Sequence, residues 1–240
     1  MARDAKAPLY PASLDLRGAP VLVVGGGAVA ARKAGALLLA HAVVTVVAPA
    51  FHPAFARLAR RPGLRQVRRR FRLSDLRIPR LVFAATDDAA LNARIAADAR
   101  RRGVWVNVAA PGECGDLQVP AAVRRGQVCI AISTGGASAA LARTLRERLE
   151  RAIGPEWGQF AALLEQRRER VLRGVADKSA RRRLLKALGS PRFSELIRQR
   201  GARRAARDMD RLIAGAVRAA DTAGTGRAAR QARRKREVLP

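Results

Sequence analysis

The sequence predicts an α/β fold: a parallel sheet with helices on both faces, then a small β/α segment and a helical C-terminal region. Three observations carry this. From Val21 to Val108, Val-rich apolar runs alternate with Ala- and Leu-rich segments of helical period. Three consecutive glycines join the first such run to the first such helix. Beyond Pro155 only helical segments remain. Alternating strands and helices build βαβ units, whose crossovers cover both faces of a parallel sheet.

Each element has its own signal. VLVV (Val21 to Val24) reads as a strand and Val29 to Ala40 as a helix. VVTVV (Val43 to Val47) is a second strand, and Pro53 to Arg60 a short helix. Leu64 to Arg70 is a weaker strand whose arginines suit a sheet edge. LVFAA (Leu81 to Ala85), a helix from Asp88 to Arg102 and VWVNV (Val104 to Val108) complete the alternation. A Gly/Pro/Cys loop then leads to a short strand around Leu117 to Val119. VCIAIST (Val128 to Thr134) is another strand. It is followed by an amphipathic helix, Ser138 to Ile153, with Leu141, Leu145 and Leu149 on one face. The expected divisions are 1–113 for the nucleotide-binding-like domain, 114–153 for the β/α segment and 154–219 for the helical region. The small, polar, basic tail 220–240 is expected to be disordered.

Composition narrows the function classes. The chain is 49% hydrophobic and 28% charged, which suits a globular protein; with 4% aromatics, Ala, Val and Leu must fill the core. A net charge of +29, nearly all from Arg, attracts polyanions such as nucleic acid or a small polycarboxylate. Drift toward Arg and Ala, which share GC-rich codons, accounts for much of this excess and does not exclude such a ligand. No helix-turn-helix, RNA-binding or zinc motif supports a specific nucleic-acid role. Cys114 and Cys129 make no disulfide framework, and no Cys/His cluster has metal-ligand spacing, so no metal is expected. The run Ala34 to Phe51 is uncharged. It switches from Leu-rich to β-branched, as a buried helix followed by a buried strand does, so no membrane span is expected. The first residues lack the apolar core of a signal peptide, which makes a cytoplasmic protein the expectation.

The triple glycine is the sharpest motif. Gly25, Gly27 and Ala30 fit G-x-G-x-x-A, directly after a strand and opening a helix. The first glycine turns the chain, the second admits a pyrophosphate to the backbone, and the third small residue lets helix and strand pack closely. Free N–H groups at the helix start then face the phosphates. The reading is a Rossmann-like dinucleotide site. The acidic residue expected about 20 positions on, which would grip the ribose, is missing, because the second strand ends in Val47, Ala48, Pro49 and Ala50. No Arg stands at that tip in the sequence either, so NAD and NADP both remain open on these residues.

Several blocks together resemble precorrin-2 dehydrogenase, the N-terminal module of siroheme synthase. They are GGGAVAARK, VVAP, AATDD, the Asn107–Val108 pair and STGGASAALARTLRERLE, in this order from Tyr10 to Glu150. The resemblance implies NAD-dependent oxidation of precorrin-2 to sirohydrochlorin, with NAD as cofactor. It also implies a homodimer formed through the segment after the nucleotide domain, and a tetrapyrrole cleft. The cofactor contacts it implies fall on Gly25, Gly26, Gly27, Ala28, Val29 and Ala30, on Pro49 and Ala50, and on Thr86 and Asp87. Substrate contacts would involve Asn107, Ser133, Thr134, Gly135 and Ser138, the last also reading as a helix N-cap. Precorrin-2 carries eight carboxylates, so Arg124, Arg125, Arg143 and Arg146 are further candidates.

One position departs from the family. Its members commonly read N-V-V-D after the fifth strand, and that Asp is implicated in dehydrogenation and metal insertion. This chain has Ala110 there. Alanine neither takes a proton nor ligates iron, so ferrochelatase activity is not expected. Glu113 and Asp116 follow shortly, and Asp116 is the substitute candidate for the catalytic carboxylate, with a turn residue as its alternative reading. Ala110 also keeps open a non-catalytic relative that binds NAD or a tetrapyrrole as sensor or carrier.

Overall fold

The computed structural model describes residues 9–109 and 115–236, and their contacts divide them into two compact units between Val119 and Pro120. The first unit holds β1 (Pro20–Val24), α1 (Ala28–Leu39), β2 (Val43–Ala48), α2 (Ala54–Leu58) and β3 (Leu64–Arg68). A 3-10 turn at Leu73–Leu76, β4 (Leu81–Ala84), α3 (Ala89–Arg101) and β5 (Trp105–Val108) follow. All five strands are parallel, in the order β3-β2-β1-β4-β5. The chain therefore steps outward from β1 to β3, then returns to lay β4 on the other side of β1. That reversal opens a crevice at the C-terminal ends of β1 and β4, where α/β sheets bind ligands.

Strand alternation sorts the core into two faces. Val21, Val23, Val44, Val46, Leu81 and Phe83 pack with Ala30, Ala31, Ala34, Leu37 and Leu38 of α1 and Phe55 of α2. Leu22, Val24, Val47, Val82, Ala84, Val106 and Val108 pack with Ile95, Ala96 and Ala99 of α3. The Ala-rich helix faces have little side chain to hold them off the sheet. As expected for its arginines, β3 is an edge strand.

In the second unit, β6 (Ala121–Arg125) and β7 (Val128–Ile132) form an antiparallel hairpin. Gly126 has φ +57° at the first turn position, and the turn packs on α5, where a Cβ on Gly158 would lie 2.7 Å from the Arg125 carbonyl group. The helices are α4 (Ala139–Ala152), α5 (Glu156–Gly174), α6 (Lys178–Leu188), α7 (Arg192–Arg200) and α8 (Ala202–Arg236). Phe160, Val171, Leu184, Leu188, Phe193, Ile197, Met209 and Ile213 are buried among α5 to α8.

Three expectations are corrected. Leu117 to Val119 is not a strand: the Leu117 N–H meets the Val106 carbonyl at 3.1 Å as a single bond rather than a ladder, and the strand begins at Ala121. The hairpin, α4 and the later helices share one unit, because the hairpin packs on both α4 and α5. The tail is helical as far as Arg236, consistent with the high helix propensity of Ala and Arg.

Candidate functional site

The three glycines do different work. Gly25 has φ +124°, its N–H donates to the Val47 carbonyl at 3.0 Å, and a Cβ there would lie 2.2 Å from the Ala85 oxygen. A Cβ on Gly26 would fall 1.8 Å from the Ala50 oxygen, while the Gly26 carbonyl accepts from the His52 N–H at 2.8 Å. Both glycines are thus required by the convergence of the β1, β2 and β4 tips. Gly27 is not. Its φ of −76° suits any residue, and a Cβ would meet nothing within 4 Å.

The space above Gly27 is therefore open, and the helix behind it starts with no side-chain cap. The Gly27 carbonyl takes the Ala31 N–H at 3.0 Å, while Ala28 and Val29 are exposed and Ala30 is fully buried against the sheet. The first-turn N–H groups are left for an external acceptor, in a positive helix-end field. A dinucleotide pyrophosphate fits this cradle: anion, backbone donors and the absent Cβ match.

At the neighbouring tips, Pro49 and Ala50 are exposed beyond β2. Phe51 packs edge-on against Phe55 at 5.2 Å. After β4, the Thr86 hydroxyl donates to Asn92 Oδ1 at 2.8 Å, with the Asp88 carbonyl at 3.1 Å as the alternative acceptor. Asn92 Nδ2 returns a bond to the Thr86 carbonyl at 3.0 Å, and Asp88 caps α3 through the Leu91 N–H at 2.9 Å. Thr86 thus lines the crevice rim with its hydroxyl already engaged, and Asp87 is exposed beside it. Asn92, buried and central to this clasp, was not singled out by sequence; its signal is the polar spacing in TDDAALN.

Asn107 is buried, with Oδ1 taking the Lys33 ammonium at 2.7 Å and Nδ2 donating to the Leu117 carbonyl at 2.8 Å. Lys33 lies 5.3 Å from the Phe83 ring centre. Burial, and then the nearby Arg32 charge, lower its pKa from the ordinary lysine value. Lys33 also escaped the sequence reading.

Asp116 is held by Arg100 in the last turn of α3, with Nε to Oδ1 at 2.8 Å. Gly115 and Leu117, on either side of Asp116, pack on Val106 and Asn107 of the edge strand β5, so this pair lies beside β5, two strands from the glycines that follow β1. The structure does not bring Asp116 to the crevice. Ala110 and Glu113 lie outside the described residues.

In the second unit the Ser133–Ser138 segment is a self-bonded turn. Ser133 Oγ accepts the Gly135 N–H at 3.2 Å, and Thr134 Oγ1 accepts the Ser138 N–H at 3.2 Å. Gly135 and Gly136 have φ +61° and +84°. Ser138 caps α4 through the Leu141 N–H at 3.1 Å, as its position suggested. Of the arginine candidates, Arg125 binds the Ile153 and Glu150 carbonyls at 2.9 and 2.8 Å, closing the end of α4, and Arg146 pairs with Glu150 at 2.6 Å. Arg124 and Arg143 make no ion pair among the described residues.

Comparison with known proteins agrees with this geometry. Residues 12–121 match a family model described as "Putative NAD(P)-binding", and residues 125–152 match one described as "Sirohaem biosynthesis protein central". The chain is 45% identical over 172 residues to the siroheme synthase of Methylococcus capsulatus, covering 72% of this chain and 36% of that one. It is 39% identical over 188 residues to the siroheme synthase of Thioalkalivibrio sulfidiphilus, covering 78% and 38%. The chain thus spans under two fifths of the length of these relatives. Among solved structures, it is similar to "SirC, precorrin-2 dehydrogenase", with a TM-score of 0.72 and 29% identity, covering 85% of this chain and all of that one.

Proposed function

Because the chain belongs to the family of the siroheme synthase N-terminal module, we propose that it oxidises precorrin-2 to sirohydrochlorin with NAD as hydride acceptor. The observation that carries this is the open cradle at Gly27, set at the switch point of a sheet whose fold matches a precorrin-2 dehydrogenase.

When bound, NAD supplies the hydride chemistry. The chain's share is positioning. The N–H groups opening α1 hold the phosphates, with Gly27 leaving room for them. Ala30 sets the helix close to β1. Pro49 and Ala50 bound the crevice at the β2 tip, and Thr86, fixed by Asn92, forms the rim at β4. Substrate loses one hydride and one proton. With Ala110 in place of the family Asp, the proton passes to solvent or to another base.

The protein is proposed to act as a cytoplasmic homodimer. No residue of α4 is fully buried, and Leu141 on its apolar stripe is exposed, leaving that face for a second copy. Among the described residues no helix is long and apolar enough to cross a membrane. The deciding experiment is anaerobic incubation with precorrin-2 and NAD, following the sirohydrochlorin spectrum. NAD-dependent appearance of that spectrum supports the dehydrogenase. Binding of NAD without turnover would favour the non-catalytic relative.

A further inference from the structure

We propose that Arg68 is a specificity-determining residue that lets the dinucleotide site accept a 2′-phosphorylated cofactor, NADP, as well as NAD; this rests on the dinucleotide reading of the cradle. In sequence, the β2 tip is A-P-A-F-H-P, with neither acid nor base except His52. In space it is different. The parallel register sets Arg68, the last residue of β3, beside Ala48, the last residue of β2. Residues paired across a parallel ladder share a face, so Arg68 lies on the side where the Ala48 Cβ faces Gly26, 2.9 Å from where a Gly26 Cβ would stand. The Arg68 guanidinium lies 5.9 Å from the Phe51 ring centre.

That is the tip where dinucleotide folds read the ribose: an acid there grips the 2′-hydroxyl and repels a phosphate, whereas a nearby arginine receives the phosphate. Here no carboxylate lies among residues 48–53. Arg68 is exposed and makes no ion pair among the described residues, while its neighbour Arg69 is committed to Asp75 through two bonds of 2.9 and 2.6 Å. The Phe51 ring gives the guanidinium a platform, leaving its N–H edge for a phosphate. His52 Nδ1 accepts the Ala54 N–H at 3.1 Å, which leaves only its other nitrogen toward solvent.

The test is calorimetric titration of the full chain with NAD and, separately, NADP, for the native protein, Arg68→Gln and Arg68→Lys. The native chain is expected to bind NADP at least as tightly as NAD. Arg68→Gln should weaken NADP roughly tenfold or more while leaving NAD within about twofold, since a charged hydrogen bond to phosphate is at stake. Arg68→Lys should recover part of the loss, because it restores charge without the planar fork. Native discrimination against NADP by about tenfold, or equal weakening of both cofactors in Arg68→Gln, overturns the assignment and leaves the cradle intact. Failure of both dinucleotides to bind the native chain overturns this inference and the dinucleotide reading together.

Discussion

The Lys33 ammonium lies 2.7 Å from Asn107 Oδ1, tying the second turn of α1 to β5 across the face of Phe83. Asn107 Nδ2 passes the link on to the Leu117 carbonyl at 2.8 Å, so one amide joins a helix, a strand and the chain returning past it. Removing the ammonium strands a buried acceptor. Lys33→Met is expected to cost roughly 1–3 kcal/mol. In a double-mutant cycle with Asn107→Leu by urea unfolding, the pair should couple by about 0.5–3 kcal/mol. Simple additivity would mean that the contact contributes nothing specific.

The same lysine gives a pH signature. Its folded pKa is lowered, by burial first, below the ordinary value of about 10.4. Between the two values the unfolded chain holds a proton that the folded chain has released, so unfolding free energy rises with pH in that window. Below it, the penalty is constant. The stability difference between native protein and Lys33→Met should therefore grow as pH rises toward the ordinary lysine value, read from parallel urea titrations. A difference that falls over this range would show that the fold stabilises the ammonium.

The glycines should separate cleanly by experiment. Gly27→Val meets no atom within 4 Å and needs no unusual φ, so it should fold, losing up to about 1 kcal/mol as a poorer N-cap, while NAD binding is abolished. Gly26→Ala instead drives a methyl into the Ala50 carbonyl and should lower the melting temperature markedly. Unchanged NAD affinity in Gly27→Val would end the cradle reading.

The clasp after β4 offers a further check. Asn92→Leu leaves the Thr86 N–H and carbonyl without their side-chain partner, at an expected cost of roughly 1–3 kcal/mol. NAD affinity should fall with it, because the rim residue Thr86 loses its fixed position. Asp88→Ala, which removes only the α3 cap, should cost about 1 kcal/mol. Equal losses of NAD affinity in the two variants would assign the effect to the helix rather than to Thr86.

What could be read from the sequence was what depends on local pattern. The three inner strands and the edge strand β5 are apolar runs, the other edge strand, β3, carries its arginines, and the glycine turn sits between strand and helix. What escaped depends on register. Lys33 looks like a solvated helix residue until β5 brings Asn107 beneath it. Arg68 belongs to an edge strand, and only parallel pairing with β2 sets it at the cofactor tip. β6, read as AAVRR, has too little apolar character to stand out, so the strand signal was placed four residues early. Asn107 stands out as a site candidate, but residue type alone does not reveal that both ends of its amide are engaged by Lys33 and Leu117.

The last prediction concerns the missing carboxylate. Asp116 is paired with Arg100 toward the far edge of the sheet, so Asp116→Asn should remove an ion pair worth about 0.2–1 kcal/mol and leave precorrin-2 turnover within about twofold. Position 110 should behave differently. Acid–base assistance is typically worth about 10²–10⁴-fold, and Ala110 provides none. Native turnover should therefore be slow but measurable, because placing substrate beside NAD needs no carboxylate. Ala110→Asp should raise the rate of sirohydrochlorin formation without changing NAD affinity, and iron insertion should be absent before the substitution. A large loss of turnover in Asp116→Asn, with no gain in Ala110→Asp, would move the working carboxylate six residues downstream and require the segment around Asp116 to reach the substrate during turnover.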